Sequence, residues 1–216
     1  MITFKQFISE EEKPFDLDKF REDCAPYFKA LGRTSPLLYR GTRTPPTDWE
    51  ITEWFTRTGP RDSDVTAHHL LNKYFIKKFG DPIRNWQFAT GDPDTARLYG
   101  RASRDPVTAI FPIGELEWVS CLDQDVMDLT GYVNRAYNEV TRADKDENLS
   151  YKECYTLATE SCIKKMDKMK WEHNTDLLKC IDFGGEIMFK CDKFYSFLET
   201  GKTFKSDEFQ KLIRLI

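Results

Sequence analysis

Two short apolar segments, one near each end of the chain, each contain a single charged residue. The first is Leu38-Tyr39-Arg40-Gly41 and the second is Gly185-Glu186-Ile187-Met188. Both segments are typical of buried β-strands, and an unpaired charge in a protein core costs several kcal/mol. Any fold of this chain must therefore pair Arg40 and Glu186 with partners or use them in a functional site.

The composition predicts one globular domain with a substantial core. Of the 216 residues, 40% are hydrophobic and 31% are charged. The net charge of −4 argues against a strongly electrostatic nucleic-acid binder. Four lysines crowd one short segment, at positions 164, 165, 168 and 170, and a solvated helix face is the plainer interpretation of that run.

Membrane, secretory and metal-binding classes find no support in the sequence. No apolar run approaches the roughly 20 residues that a membrane helix needs, so we expect no membrane partner. The N-terminus carries glutamates at positions 10–12 and lacks the apolar core of a signal peptide. The six cysteines form no CxxC pair and the three histidines form no ligand cluster, which argues against zinc and predicts reduced thiols.

Short strands alternate with helices along the chain. Hydrophobic spacing predicts helices at about residues 16–31, 65–79, 94–99 and from 206 onward. It predicts strands at 37–41, 86–90, 107–113 and 116–121, with extended structure again at 181 and 186–190. We therefore predict a single α+β domain over residues 13–216, with a mostly helical insertion at about 125–178. Residues 1–12 stand apart as a leader or a short amphipathic helix, since apolar side chains recur there at helical spacing.

Arg40 and Glu186 are the sharpest candidates for chemistry. The guanidinium of Arg40 presents a fixed fork of donors that suits phosphate, and Gly41 lets a ligand approach the backbone. A salt bridge at the end of a strand is the alternative for Arg40. Glu186 suits a developing positive charge, such as the oxocarbenium-like centre of glycosidic cleavage. A glutamate that points to water at a strand edge is the alternative for Glu186.

Weaker candidates lie between these two residues. Thr90 follows a predicted strand, where its hydroxyl would orient a neighbouring carboxylate, and a helix-capping turn through Asp92 is the alternative. A polar loop is predicted at residues 56–64, before the helix at 65–79, and Arg61, His68 and His69 cluster near it as further ligand candidates. At least one of the two histidines is expected to be exposed, because neighbours cannot share a helix face. Four aromatic residues would stack on a ligand ring, although core packing is the plainer interpretation: Tyr39, Trp86, Tyr99 and Tyr195.

The order Arg40, Thr90, Glu186 resembles the arginine–serine–glutamate signature of the ADP-ribosyltransferase superfamily. Leu-Leu-Tyr-Arg-Gly resembles the first motif of that family, Phe-Ala-Thr-Gly-Asp its Ser-Thr-Ser strand, and Gly-Gly-Glu-Ile-Met-Phe its glutamate strand. The resemblance covers residues 37–99 and 181–197. It implies a split β-sheet core with flanking helices and with NAD as the substrate.

The same resemblance implies roles for single residues. Arg40 would grip the diphosphate of NAD, and the main chain of Gly41 would meet the nicotinamide amide. Thr90 would brace Glu186, which would hydrogen-bond the nicotinamide ribose and support the loss of nicotinamide. Outside the family motifs, Tyr99, Arg61 and His68 are the further candidates for contacts with NAD.

Two positions depart from the family pattern. The middle motif lacks its serine, because Ala89 and Gly91 flank Thr90. Gly184 stands two residues before Glu186, where arginine-modifying members carry glutamate. The second departure implies that the acceptor is not an arginine modified by the usual route, and leaves another protein group or a nucleic-acid base.

A second resemblance concerns the N-terminus. Met-Ile-Thr-Phe-Lys-Gln-Phe-Ile-Ser-Glu is similar to the capsid-targeting leader of internal head proteins in large tailed bacteriophages, and Ile8-Ser9-Glu10 fits the triplet after which the prohead protease cuts. It implies a protein packaged inside the virion and delivered to the host cytoplasm. An ordinary amphipathic helix on the domain is the alternative.

Together these observations predict a phage-type mono-ADP-ribosyltransferase that transfers ADP-ribose from NAD to a host protein or nucleic acid. One alternative is a catalytically inactive protein on the same scaffold, which blocks a host factor by binding it. Another is an unrelated α+β structural protein of the virion.

Overall fold

The computed structural model describes residues 14–32, 37–42, 44–53, 59–60, 63–99, 106–144 and 148–215. The strands are β1 (Leu38–Gly41), β2 (Trp49–Glu53), β3 (Gln87–Ala89), β4 (Val107–Ile113), β5 (Glu117–Cys121), β6 (Trp171–His173), β7 (Ile187–Lys190) and β8 (Lys193–Leu198). The helices are α1 (Leu17–Asp23), α2 (Ala25–Leu31), α3 (Val65–Phe79), α4 (Pro93–Tyr99), α5 (Leu129–Ala143), α6 (Tyr151–Met166), α7 (Leu177–Phe183), α8 (Lys202–Lys205) and α9 (Asp207–Leu215). The predicted α+β class is confirmed.

Two antiparallel four-stranded sheets organise these elements. The first has the strand order β1-β4-β8-β2, and the second has the order β3-β7-β5-β6. One pair of main-chain hydrogen bonds joins them, because Tyr39 and Thr90 exchange N–H···O contacts of 2.7 and 3.0 Å. The ends of β1 and β3 therefore meet where the two sheets come together.

The second sheet separates two hydrophobic cores. The first core contains Phe20, Phe111 and Phe197, whose rings pack edge to face against one another. The second core lies under α3, α5 and α6, and includes Phe75. Strand β7 contributes side chains to both cores, because successive side chains of a strand point to opposite faces. Ile187 and Phe189 enter the first core, and Met188 enters the second.

Local capping explains why the predicted bounds of α3, residues 65–79, are confirmed. The Asp64 carboxylate accepts hydrogen bonds from the main-chain amides of Thr66 and Ala67, which begins the helix. Gly80 ends it in the left-handed conformation, with φ of 85°. The strand predicted at 107–113 is likewise β4.

Other predictions are corrected by the structure. The single helix predicted over 16–31 is two helices that meet at Cys24, because Pro26 has no amide hydrogen with which to continue α1. Ile181 is helical rather than extended, since Asp176 caps α7 and Gly184 ends it with φ of 73°. The predicted helical insertion also contains β6, and the sequence did not indicate β2 or β8.

The predicted leader at 1–12 lies outside the described residues. No helix in the described part of the chain is long and apolar enough to span a membrane. The four lysines at 164, 165, 168 and 170 are exposed, but α6 ends at Met166, so only the first two lie on a helix face.

Candidate functional site

Glu186 lies directly before β7 and is held at four points. Its main-chain N–H donates to the carbonyl of Met127 at 2.8 Å, and its carbonyl accepts from the Ser120 hydroxyl at 3.1 Å. Its Oε1 accepts from Arg84 Nη1 and its Oε2 from the amide of Leu129, both at 3.1 Å. Glu186 is only 9% exposed, which excludes the alternative of a glutamate that points to water.

Arg84 is the partner that the sequence interpretation missed. It belongs to a short 3-10 turn, Ile83–Asn85, and is 4% exposed. Its Nη2 donates to the Thr130 hydroxyl at 3.0 Å, and its guanidinium lies 4.6 Å from the centre of the Phe88 ring. The signal was present in the sequence, because Arg84 is also a single charge beside large apolar residues, between Ile83 and Trp86.

A partly buried network of two side-chain amides and an imidazole holds the turn that carries Arg84. Asn72 Oδ1 accepts from the main-chain N–H of Arg84 at 2.9 Å, and Asn72 Nδ2 donates to Asn85 Oδ1 at 3.0 Å. His68 Nε2 lies 3.0 Å from Asn85 Oδ1 and 3.1 Å from Asn72 Nδ2. His68 is buried and His69 is exposed, which confirms that one of the two histidines faces solvent.

Thr90 is brought beside the Glu186 segment. The register of β3 and β7 pairs Ala89 with Ile187, so its continuation places Thr90 opposite Glu186. Thr90 is fully buried; its hydroxyl donates to the carbonyl of Gly184 at 2.8 Å and accepts from the Asp92 amide at 3.2 Å. The hydroxyl therefore fixes the main chain two residues before Glu186, whereas the described hydrogen bonds of the carboxylate come from Arg84 and Leu129.

Gly91 allows this segment to pack against α7. A Cβ atom at position 91 would lie 1.9 Å from the carbonyl oxygen of Ile181, which is a main-chain atom and cannot yield as a flexible side chain would. Asp92 caps α4 by accepting from the amides of Asp94 and Thr95, so a capping turn does follow Thr90. The hydrogen bond from the Thr95 hydroxyl lowers the pKa of Asp92.

The two sheets meet where Tyr39 pairs with Thr90, and we call this place the sheet junction. Arg40 points to the side of the sheet junction opposite Glu186. Because Tyr39 pairs with Thr90, alternation places Arg40 on the side of Ala89 and Ile187, where the first core lies. Arg40 Nη1 donates to the buried Oε1 of Gln87 at 2.6 Å. The carboxylate of Glu186 lies on the opposite side, since Arg84 Nη1 contacts both Glu186 and the sulfur of Met188.

The remaining candidates are scattered. Gly41 is the last residue of β1 and pairs with Val107. Trp86 and Tyr195 are buried core residues, as the plainer interpretation expected, and the Tyr195 hydroxyl donates to Asp23 at 2.7 Å. Tyr39 is half-buried, and burial raises the pKa of its hydroxyl. Two candidates lie outside what the structure describes: Arg61 entirely, and the side chain of Tyr99, which ends α4.

The described residues contain no group of three or more histidine, cysteine or acidic side chains that could hold a metal ion. All six cysteines are described, and all are buried free thiols. The polar cluster around Glu186 therefore consists of an ion pair, hydroxyls, amides and one imidazole. No protein-family model, curated protein or solved structure matches the chain.

Proposed function

We propose that the chain is a phage-type mono-ADP-ribosyltransferase that transfers ADP-ribose from NAD to a host protein or nucleic acid. The observation that carries the proposal is the carboxylate of Glu186, which two N–H donors fix at the start of β7 beside Thr90. A carboxylate that is oriented before the reaction stabilises developing positive charge without further reorganisation.

The chemistry asked of Glu186 is electrostatic. Nicotinamide leaves with the electron pair of its bond to the ribose C1′, and a nucleophile of the acceptor bonds to C1′ and loses a proton. Glu186 would accept a hydrogen bond from the ribose and offset the positive charge on the ring. Thr90 would keep the Gly184–Glu186 segment in place through its bond to the Gly184 carbonyl.

The NAD-binding roles follow from the resemblance. Arg40 would exchange its bond with Gln87 for the diphosphate, while the main chain of Gly41 would meet the nicotinamide amide. Arg61 and Tyr99 would add contacts to NAD. The buried position of His68 instead favours a role in holding the turn of Arg84.

A second candidate is a binding protein on this scaffold that blocks a host factor without turnover. Two observations favour it. Both carboxylate oxygens of Glu186 already accept hydrogen bonds, and Arg40 lies on the opposite side of the sheet junction. On this alternative, the Arg84–Glu186 pair belongs to the core, and the helical insertion provides the binding surface.

Labelling with an NAD analogue in bacterial lysate distinguishes the two candidates. For an enzyme, the native protein transfers label to a macromolecule, Glu186→Gln does not, and the matched control Glu53→Gln does, because Glu53 is an exposed partner of Lys193. Sensitivity of the labelled band to protease or nuclease identifies the acceptor class. No label with any variant, together with no heat of NAD binding by calorimetry, would contradict the enzyme and leave the binding protein.

A further inference from the structure

We propose that Arg84 is a positioning residue, which fixes the direction of the Glu186 carboxylate and ties it to the first turn of α5. Its role in catalysis rests on the proposed function, whereas its hold on the carboxylate is tested separately below. Arg84 is 102 residues from Glu186 in the sequence and 46 from Thr130. One side chain thus connects the residue directly before β7 to the start of the helical insertion.

The two ends of the guanidinium have different partners. Nη1 donates to Glu186 Oε1 at 3.1 Å, and Nη2 donates to Thr130 Oγ1 at 3.0 Å. Because a guanidinium is planar, these two bonds fix the plane of the group as well as its position. The Phe88 ring covers one face of the guanidinium, with its centre at 4.6 Å.

The carboxylate is then fixed at both oxygens. Arg84 holds Oε1, and the main-chain amide of Leu129, at the start of α5, holds Oε2 at 3.1 Å. The N-terminal end of a helix favours negative charge, so α5 and Arg84 attract the same carboxylate from two directions. With only one of these two donors, the carboxylate would be free to rotate about the Cγ–Cδ bond of Glu186.

The main chain of Arg84 is held by hydrogen bonds, as its guanidinium is. Its main-chain N–H donates to Asn72 of α3 at 2.9 Å, and Asn72 is bonded to Asn85 and lies against His68. At 4% exposure, Arg84 is almost fully buried. It therefore acts through Glu186, which is why we assign it a positioning role.

Lysine is a poor substitute at this position. An ammonium group offers a single point charge and cannot bond Glu186 and Thr130 with the fixed fork of a guanidinium. Arg84→Lys would keep the charge opposite Glu186 but loosen the direction of the carboxylate. Arg84→Met would remove the positive charge and both hydrogen bonds of the guanidinium, so the direction of the carboxylate would no longer be fixed.

The amide resonance of Leu129 reports on the carboxylate directly, because that amide donates to Glu186 Oε2. In ¹H–¹⁵N spectra of the whole protein, we expect Glu186→Gln to move this resonance. Arg84→Met should move it as well, and Arg84→Lys should move it less. The matched control is Arg97→Met, which breaks more exposed ion pairs with Asp94 and Glu199 and should leave the Leu129 resonance unchanged.

An unmoved Leu129 resonance in folded Arg84→Met would overturn the proposal. If Arg84→Met does not fold, Arg84→Lys decides, because it keeps a charge opposite Glu186 and loses the fixed fork of donors. A Leu129 resonance that stays in place in folded Arg84→Lys would overturn the proposal equally.

Enzyme kinetics test the proposed role of Arg84 in catalysis. We expect Arg84→Met to lower kcat for ADP-ribosyl transfer on the order of 100-fold, as for a misplaced reacting group, with KM for NAD changed less than about threefold. Arg84→Lys should recover part of kcat, and Arg97→Met should match the native protein. A native kcat in Arg84→Met would overturn the positioning role. Absence of turnover in the native protein would refute the proposed function, while the Leu129 resonance would still decide whether Arg84 holds Glu186.

Discussion

Arg84 Nη1 lies 3.1 Å from Glu186 Oε1, and the two side chains are 5% and 9% exposed. Removing two charges from water costs several kcal/mol per ion, and their attraction offsets that cost only when the other polar atoms of the pair are also bonded. Here Thr130 and the Leu129 amide provide those bonds. The Arg84 Nε is an exception, since it has no hydrogen-bond partner among the described residues.

Breaking this pair from one side should be strongly destabilising. We expect Glu186→Ala to lower the free energy of unfolding by about 3–5 kcal/mol, because it leaves the buried guanidinium without its counter-charge. The double replacement Arg84→Met/Glu186→Leu should recover most of that loss. Urea unfolding measures both. As a control, Lys193→Ala breaks the exposed pair with Glu53 and should change the free energy by less than about 1 kcal/mol. An equally mild effect of Glu186→Ala would contradict the buried pair.

Gly91 should not tolerate even one added methyl group. Gly91→Ala would place Cβ 1.9 Å from the Ile181 carbonyl oxygen, so α7 must move. We expect the free energy of unfolding to fall by about 1–3 kcal/mol or more, since 1–3 kcal/mol is the usual range for overpacking. Gly59→Ala is the matched control, because no described atom lies within 4 Å of its added Cβ, and it should change stability by less than about 0.5 kcal/mol. Similar thermal midpoints for the two variants would contradict the close approach.

The Thr90 hydroxyl should matter for stability and, in the enzyme, for turnover. Thr90→Val leaves the Gly184 carbonyl and the Asp92 amide without their bonds to the hydroxyl, which should cost about 1–3 kcal/mol of unfolding free energy. Because the Gly184–Glu186 segment loses its anchor, kcat should also fall. Thr90→Ser keeps a hydroxyl and should recover both quantities in part. Native stability and turnover in Thr90→Val would show that the hydroxyl does not anchor the Gly184–Glu186 segment.

Buried thiols should make the protein less stable in alkaline solution. Burial raises the pKa of Cys121 and Cys162 to about 11, and that of Cys180 and Cys191 to about 12. In the unfolded chain a thiol ionises near pH 8.5, so above about that pH the unfolded state binds fewer protons than the folded state. The free energy of unfolding should then fall, by about 1.4 kcal/mol per thiol for each pH unit, until the folded thiol ionises.

Two measurements check this pH dependence. Urea unfolding at pH 7.5 and pH 9.5 should show a smaller loss for Cys180→Ala than for the native protein, because that variant has one buried thiol fewer. A thiol reagent should react with the native protein slowly and with the denatured protein at once. Fast reaction of the native protein, or the same pH dependence in both proteins, would contradict the burial of these thiols.

Several local elements follow from the sequence because their determinants are neighbours in the chain. The acidic cap at Asp64 and the left-handed Gly80 bound α3, and both positions can be identified from the sequence. The strands β2, β6 and β8 were missed. The residues of β2, Trp49–Glu53, do alternate between apolar and polar, but the run is short and its partner at the sheet edge is β8, at least 140 residues later. Ile181 was assigned to the wrong state because a short buried run is compatible with either helix or strand.

The sequence alone establishes that Arg40 and Glu186 need partners, since each is a charge within an apolar segment. It did not determine which partners. The tertiary structure paired Glu186 with Arg84, 102 residues away, and Arg40 with Gln87 on the opposite side of the sheet junction. The physical reason is the register between strands: a shift of one residue turns a side chain to the other face, and contacts far apart in the chain set that register.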